Sequence, residues 1–407
     1  MMANRPNLGG GVVSVKPNPE GTRNIVMFRD DLTYVDPERT DPKLIEGLEL
    51  GKPFRTTGDK PLGALGSVES TSAPKVASDF SGIRTLEAGL GGEHVTTHAA
   101  EIDSTITDAA NVAHGTKFKP KDVHDVDPED LAGADLYHAS PVCKSLSGAN
   151  VTRQVSETDI GFADKIASNI REAMPPSVSI ENVPEFASKP ELMNPIASAL
   201  DEAGYTWDVQ IHNAADYGGA MNRDRMVIRA VKDGELPPLP EQSEPGDWFE
   251  VVSDLVDDAP DSTPRGKQAG KANREFSQIE EREKRFIDTG GRSGLDPTKP
   301  IITMGHSRNP NYPYAANSGG PAPTLASSPG AVPRIIMPDG RVKKVTGRMM
   351  ARLMGLPDGF KVPDDWKLAK TTLGNGIHGE TTRNFIEPLL KRHTARDTTK
   401  KLGALAQ

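Results

Sequence analysis

The sequence predicts an α/β domain with a mostly parallel sheet, and three observations support that fold class. Between about Lys75 and Val231, short apolar runs that suit strands alternate with longer stretches of helical period, as in βαβ units. The chain of 407 residues is long enough for a substantial core. It shows no run of about eighteen apolar residues and no secretory leader, so we expect a cytoplasmic protein without a membrane span.

Each predicted element depends on a local pattern. A helix is predicted from Asp159 to Ala173, because small and apolar residues recur there at helical spacing and Pro175-Pro176 ends it. Short apolar runs predict strands at Leu136–Ala139, Val178–Ile180, Trp207–Ile211 and Met226–Val231. The acidic, proline-rich stretch 235–241 then indicates a boundary.

Charge and cysteine content narrow the functions open to the chain. With 48 Lys and Arg against 57 Asp and Glu, the net charge of −9 argues against a protein that coats nucleic acid by bulk charge. Residues 331–407 differ, since they carry 15 basic and 7 acidic residues, and we expect a polyanion-facing surface there. Cys143 is the single cysteine, which excludes a disulfide framework and thiolate-rich metal sites.

Chemically distinctive residues accompany the predicted strands. Cys143 lies in the loop after Leu136–Ala139, and open α/β sheets present reacting groups at the carboxyl ends of strands. Glu181 ends the next strand, where a carboxylate is costly to bury without a partner. Arg223 and Arg225 come just before another strand. Taken singly, Cys143 is more often a small buried residue, and Glu181 also suits a helix start.

Together and in this order, these blocks resemble those of the DNA cytosine-5 methyltransferases. The family's Pro-Cys loop, Glu-Asn-Val block and Asn-Arg-Glu-Arg block correspond to Pro141–Cys143, Glu181–Val183 and Asn222–Arg225. Further matching blocks are Pro321–Leu325, Thr346–Phe360 and Leu373–Ile377, so the resemblance spans roughly residues 75 to 391. It implies a Rossmann-like, S-adenosylmethionine-dependent methyltransferase domain with a mostly parallel sheet and a small target-recognition module.

By this resemblance, the catalytic residues are Cys143, Glu181, Arg223 and Arg225. The Cys143 thiolate attacks carbon 6 of cytosine, which activates carbon 5 toward the methyl group. Glu181 gives a proton to ring nitrogen 3, because burial favours the protonated form of a carboxyl group. Arg225 contacts the cytosine carbonyl oxygen and Arg223 steadies the nucleophile loop. The target base has to leave the DNA duplex, which costs stacking and pairing energy.

The resemblance also assigns residues to S-adenosylmethionine. The turn that approaches the methionine part contains Phe80, Gly82, Ile83 and Arg84. Glu101 corresponds to the carboxylate that binds the ribose, Asp122 to the acid that contacts the adenine amino group, and Asn375 closes the pocket from the other side. Taken singly, each acid is equally well explained as a solvated turn residue. No metal is expected.

The chain departs from the family pattern at a few positions. Val142 separates Pro141 from the cysteine, Lys144 and Met221 each replace a Gln, and Arg84-Thr85 replace paired glycines. Lys144 is, with Arg223 and Arg225, a candidate cation for stabilising the thiolate. Arg84 brings a cation towards the methionine end of the cofactor. One hypothesis is therefore a carboxylated S-adenosylmethionine, paired by Arg84 or Lys144, and carboxymethyl transfer. The simpler explanation is a surface arginine in a divergent loop.

Two other functions stay open at this point: a DNA-binding relative that has lost catalysis, and a cytosine methyltransferase acting on tRNA. The intact reacting residues argue against the first, and nothing positively signals RNA. We therefore expect a monomeric methyltransferase of duplex DNA in a bacterial or phage-infected cell. Its target sequence, and a role in restriction, self-protection or phage evasion, are left open.

The expected domain organisation has five parts. Residues 1–74 form a loosely ordered extension with one short strand, residues 75–258 the first part of the catalytic domain, and residues 259–320 a small target-recognition region. Residues 321–391 return to the catalytic domain and complete its sheet, and residues 392–407 form a tail.

Overall fold

The computed structural model describes residues 73–91, 94–142, 146, 154–262, 295–296, 298–304, 315–325, 327 and 332–391, and short strands at 12–13, 27–29 and 32–34. In chain order the strands are β1 Val12–Val13, β2 Met27–Arg29, β3 Leu32–Tyr34, β4 Lys75–Asp79, β5 Val95–Ala100, β6 Leu136–Ala139, β7 Ser177–Asn182, β8 Thr206–Asn213, β9 Asp224–Val231, β10 Ile301–Thr303, β11 Ala315–Asn317, β12 Arg334–Ile336 and β13 Val342–Lys344. The α-helices are α1 Thr85–Gly89, α2 Ser104–His114, α3 Pro128–Leu131, α4 Glu157–Ala173, α5 Pro190–Glu202, α6 Gly347–Leu353, α7 Trp366–Asn375 and α8 Gly379–Thr381.

A seven-stranded mixed sheet lies at the centre, in the order β1-β8-β9-β7-β6-β4-β5. Strands β5, β4, β6 and β7 run parallel, whereas β9 lies antiparallel between β7 and β8. The carboxyl ends of the four parallel strands and the amino end of β9 therefore meet at one edge of the sheet. Ligand sites of open α/β sheets form at that edge.

The central strands are buried on both faces, as a parallel sheet covered by helices requires. All four residues of β6 and all six of β7 are buried. Alternate residues enter different cores: Tyr137 and Ile228 share one with α4 and α5, whereas Leu136 and Val227 share another with α1 and residues 385–390. This alternation follows from the two-residue period of a strand.

The strands and the helix predicted in this part of the chain are confirmed, with ends that extend by a few residues. Strand β6 coincides with its prediction, and α4 begins two residues before the predicted helix. The earlier start has a local cause. The hydroxyl of Ser156 caps the helix by accepting a hydrogen bond from the backbone N–H of Asp159.

The carboxyl-terminal segment covers the main sheet and adds no strand to it, so the expectation that it completes the sheet is wrong. Within the described residues, the main sheet takes its strands from 12–13 and 75–231. The buried side chains of Met349, Met350 and Leu353 are spaced for one face of a helix, and they form the core side of α6.

A second, antiparallel sheet has the order β11-β10-β12-β13. Strands β10 and β11 precede residue 320, the predicted end of the recognition region, and β12 and β13 follow it. Ile302 and Ile335 of this sheet share a core with Trp248, with α6 and with Ala110 of α2. In the part of the chain that the structure describes, no helix is long and apolar enough to cross a membrane.

Candidate active site at the carboxyl edge of the sheet

The exits of β6 and β7 are fastened to each other by two side-chain hydrogen bonds. The hydroxyl of Ser140 donates to Glu181 Oε2 at 2.6 Å, and Asn182 Nδ2 donates to the carbonyl oxygen of Pro141 at 2.8 Å. The chain is thereby fixed beside Glu181 just before the predicted nucleophile. Cys143 itself, with Lys144, lies outside the described residues.

Glu181 is almost completely buried and faces a cation. Its side chain is 3% exposed, and Arg225 Nε lies 2.6 Å from Glu181 Oε1. The strand register produces this contact: Glu181 pairs with Val227 of β9, so Arg225, two residues earlier, projects from the same face just beyond the end of β7. A carboxylate buried to this extent needs such a partner.

Arg223 takes a different position from Arg225. It is buried, and its Nη2 donates to the carbonyl oxygens of Gly374 at 3.0 Å and Gly376 at 2.5 Å, at the carboxyl end of α7. These carbonyl groups carry partial negative charge and have no partner within the helix. Burial, and then the nearby Arg225 cation, lower the pKa of Arg223. Its action on the nucleophile loop stays a prediction.

The end of α7 also contacts Thr85, the first residue of α1, which directly follows the turn after β4. The backbone N–H of Ile377 donates to Thr85 Oγ1 at 2.8 Å, and a Cβ atom on Gly376 would lie 2.6 Å from the same oxygen. Asn375 is exposed and lies between residues that contact Arg223 and Thr85. The structure therefore places Asn375 where the predicted catalytic and cofactor regions meet.

The turn after β4 has an unusual backbone. Phe80, Gly82 and Arg84 have φ angles of 55°, 53° and 61°, a region that is costly for residues other than glycine. The backbone N–H of Gly82 donates to Glu101 Oε2 at 3.2 Å, which ties the turn to the end of β5. A Cβ atom on Gly82 would meet none of the described residues within 4 Å, which leaves space at the turn for a ligand. The side chain of Ile83 is buried in the core, and its carbonyl oxygen lies 3.2 Å from His114 Nε2. Its contact with a cofactor stays a prediction.

Glu101 and Asp122 are held by backbone hydrogen bonds near this turn. Glu101 Oε1 accepts from the N–H of Asp103 at 2.9 Å, and Asp122 Oδ1 accepts from the N–H of His124 at 3.0 Å. Burial raises the pKa of Glu101, and the hydrogen bonds from Asp103 and Gly82 oppose that effect. Each carboxylate oxygen can accept a second hydrogen bond, so these contacts are compatible with ribose or adenine binding.

Arg84 is buried, so the explanation as a surface arginine is wrong. Its side chain is 2% exposed, and Nη2 donates to the carbonyl oxygen of Ala110 at 2.8 Å and to Thr116 Oγ1 at 2.5 Å. The guanidinium carbon lies 5.1 Å from the centre of the Phe118 ring. Burial lowers the pKa of Arg84, and the neighbouring Glu87 opposes this. The guanidinium is thus engaged near the end of α2, and it gives a carboxylated cofactor no support.

Two residues that the sequence did not indicate extend the site beside Phe80. The rings of Phe80 and Phe162 meet edge to face with centres 4.9 Å apart, and His124 stacks on Phe162 at 5.6 Å. Phe162 falls outside the apolar series that predicts α4, so helical spacing gives no signal for it. His124 lies two residues after Asp122 in the chain, and the Phe80 and Phe162 rings supply a flat apolar surface.

A buried hydrogen-bond network, also unpredicted, fixes the end of β4. Asp79 accepts from the hydroxyl of Tyr137 at 2.7 Å and from Asn169 Nδ2 at 2.9 Å, and His98 Nε2 lies 3.1 Å from its other oxygen. The signal available in the sequence was Asp79 itself, an acidic residue at the end of an otherwise largely apolar strand. Within the described residues, no group of three or more His, Cys, Asp and Glu side chains could hold a metal ion.

The sequence model of one protein family, described as C-5 cytosine-specific DNA methylase, matches residues 75–391. Among curated proteins, the chain is 25% identical over 350 residues to the type II methyltransferase M.FnuDI of Fusobacterium nucleatum, covering 80% of this chain and 97% of that protein. It is 24% identical over 325 residues to the type II methyltransferase M.HhaI of Haemophilus parahaemolyticus, covering 73% of this chain and 91% of that protein.

Solved structures support the fold. The structure of the Entamoeba histolytica methyltransferase EhMeth matches with a TM-score of 0.55 at 13% identity, covering 79% of this chain and 99% of that one. The Rossmann-like methyltransferase fold expected from the sequence is therefore confirmed.

Proposed function

Because the chain belongs to the C-5 cytosine-specific DNA methylase family, we propose that it transfers a methyl group from S-adenosylmethionine to carbon 5 of cytosine in duplex DNA. One observation carries the proposal in detail. The buried carboxylate of Glu181, near the end of β7, is fixed between Arg225 and Ser140, and Ser140 lies at the exit of the strand that leads to Cys143.

The nucleophile in this proposal is the thiolate of Cys143. Its sulfur forms a bond to carbon 6 of cytosine, and the electrons of the ring double bonds shift towards carbon 5 and nitrogen 3. Carbon 5 then accepts the methyl group, and S-adenosylhomocysteine is the leaving group. A base, for which water can serve, takes the proton from carbon 5. The ring double bond is restored as the bond between carbon 6 and sulfur breaks, and the electron pair returns to sulfur.

Glu181 neutralises the negative charge that this addition creates on the ring. Its carboxyl group gives a proton to nitrogen 3 and takes it back when the sulfur leaves. Arg225 lies against the same carboxylate, 2.6 Å from Oε1, and at 13% exposure it is more accessible than the buried Arg223. Its assigned contact is the carbonyl oxygen of cytosine.

The described residues fit a nucleoside cofactor across the carboxyl ends of β4 and β5. Gly82 leaves open space for close approach, Glu101 can accept hydrogen bonds from ribose hydroxyl groups, and Phe80 with Phe162 offers an aromatic surface. Asp122 is assigned to the adenine amino group, and Asn375 to the closing side of the pocket. When bound, S-adenosylmethionine supplies an activated methyl group.

Duplex DNA is the proposed substrate, with the target base flipped out of the helix. Carbon 5 cannot be reached by a thiol while the base is stacked, so extrusion is a requirement of the chemistry. The basic segment from residue 331 is the candidate surface for the DNA backbone. Of the predicted recognition region 259–320, residues 263–294, 297 and 305–314 lie outside the described residues.

Nucleoside analysis by mass spectrometry tests this function. Purified protein is incubated with S-adenosylmethionine and either duplex DNA or tRNA, and the Cys143→Ala variant is the matched control. We expect 5-methylcytosine in DNA with the natural protein and none with the variant. Methylated tRNA with unmethylated DNA would mean that the substrate is tRNA. A product that forms only with a carboxylated cofactor would mean that the transferred group is carboxymethyl. DNA binding without any product would mean that the protein binds DNA without catalysis.

A further inference from the structure

Ser140 is a group at the site to which no role has been assigned. Its hydroxyl donates to Glu181 Oε2 at 2.6 Å, and this hydrogen bond joins side chains 41 positions apart in the chain. The residue is half-buried at the exit of β6, three positions before Cys143. It therefore contacts the proposed acid and leads into the loop of the proposed nucleophile.

The two partners of Glu181 differ in what they can bond. The guanidinium of Arg225 can only donate, so it suits the carboxylate form of Glu181. A serine hydroxyl has one O–H and two lone pairs, so it donates to a carboxylate and, after rotation, accepts from a carboxylic acid. Of these two partners, Ser140 alone can keep a hydrogen bond to Oε2 in both protonation states.

The backbone around Ser140 keeps its hydroxyl in reach of Oε2. The N–H of Ser140 donates to the carbonyl oxygen of Asp79 at 3.3 Å, on the β4 side. On the β7 side, Asn182 Nδ2 holds the carbonyl oxygen of Pro141 at 2.8 Å. Ser140 is thus fixed from both neighbouring strands, and rotation of the hydroxyl about the Cβ–Oγ bond is the motion that the exchange requires.

We infer that Ser140 is a positioning residue that holds the plane of the Glu181 carboxyl group while its proton moves to and from ring nitrogen 3. This inference rests on the proposed function. The balance is simple: the proton leaves Glu181, binds nitrogen 3 and returns when sulfur leaves, whereas the hydroxyl proton of Ser140 is neither gained nor lost. The same hydrogen bond fixes the acid to the exit of β6, the strand that precedes Cys143 in the chain.

Single-turnover and steady-state methylation of duplex DNA by Ser140→Ala test the inference. The lost hydrogen bond is made to a charged group, so we expect kcat to fall roughly 10- to 100-fold. The KM values for DNA and for S-adenosylmethionine should stay within about twofold, because Ser140 contacts neither ligand in this account. The matched control is Ser179→Ala. Ser179 lies on the same strand as Glu181, and its buried hydroxyl is hydrogen-bonded to His138. Its removal should leave kcat unchanged.

A double-mutant cycle shows whether Ser140 acts through Glu181. In the Glu181→Gln background, Ser140→Ala should change the residual single-turnover rate by less than about twofold. The inference is overturned if Ser140→Ala reduces the rate by the same factor in both backgrounds, or if it slows the enzyme no more than Ser179→Ala does. Absence of DNA methylation by the natural protein is a different result, because it removes the proposed function itself.

Discussion

Substitution of alanine for Gly376 tests the contact between the carboxyl-terminal segment and the predicted cofactor loop. The added Cβ would lie 2.6 Å from Thr85 Oγ1 and 2.7 Å from Thr85 Cγ2, closer than side-chain atoms approach one another. The backbone is no obstacle, because Gly376 has φ −69° and ψ 164°, a conformation that alanine adopts freely. The expected effect is therefore steric alone.

Thr85 cannot move aside without a cost. It is 3% exposed, and its Oγ1 accepts the hydrogen bond from the N–H of Ile377 at 2.8 Å. Overpacking costs about 1–3 kcal/mol, and the strained hydrogen bond adds about 1 kcal/mol. We expect Gly376→Ala to lower the free energy of unfolding by about 2–4 kcal/mol. It should also weaken S-adenosylmethionine binding, because the displaced segment carries Asn375.

Urea denaturation and calorimetric titration with S-adenosylmethionine measure these two effects. The control is Gly359→Ala, where an added Cβ meets no described residue within 4 Å. The double variant Thr85→Gly, Gly376→Ala removes the clashing atoms and should recover part of the lost stability. If Gly376→Ala unfolds with the free energy of the natural protein, the close packing of Gly376 on Thr85 is refuted.

Two more predictions concern proton-binding groups. Glu181→Gln should lower the methylation rate by orders of magnitude with the fold retained by circular dichroism, because an amide has no proton to give nitrogen 3, and a rate near that of the natural protein would exclude the role. Burial lowers the pKa of His138, His212 and His378 to about 3, well below the ordinary 6.5, so the unfolded chain binds more protons between these values. The free energy of unfolding, measured by urea denaturation, should therefore be highest above pH 6.5 and lower at pH 5 by about 2 kcal/mol for each histidine. Equal free energies of unfolding at pH 7.5 and pH 5 would contradict the burial of these histidines in the neutral form.

Much of the fold follows from local sequence patterns. Alternation of apolar runs with helical periodicity predicts the central strands and α4, because burial on both faces leaves a strong local signal. The role of the carboxyl-terminal segment did not follow, since strand and helix signals both occur there. In the smaller sheet its strand β12 pairs with β10, and β13 pairs with β12, a choice that long-range packing decides.

The candidate site was predictable where chemistry constrains residue types. Glu181 and Arg225, identified from ordered motifs, lie in contact. Arg84 shows the limit of this reasoning: its guanidinium is engaged by Ala110 and Thr116, contacts between distant residues that local sequence does not encode. Ser140 was missed for a similar reason, since a serine before a proline has many ordinary explanations.

The covalent step is the central claim, and trapping on 5-fluorocytosine tests it most directly. Fluorine at carbon 5 prevents the final elimination, so duplex DNA containing this base, incubated with the protein and S-adenosylmethionine, should give an adduct that survives denaturation. Intact-mass analysis and peptide mapping are expected to place the DNA on Cys143 with one added methyl group. Methylation of ordinary cytosine without any adduct on the fluorinated base, or retained turnover in Cys143→Ala, would contradict the account.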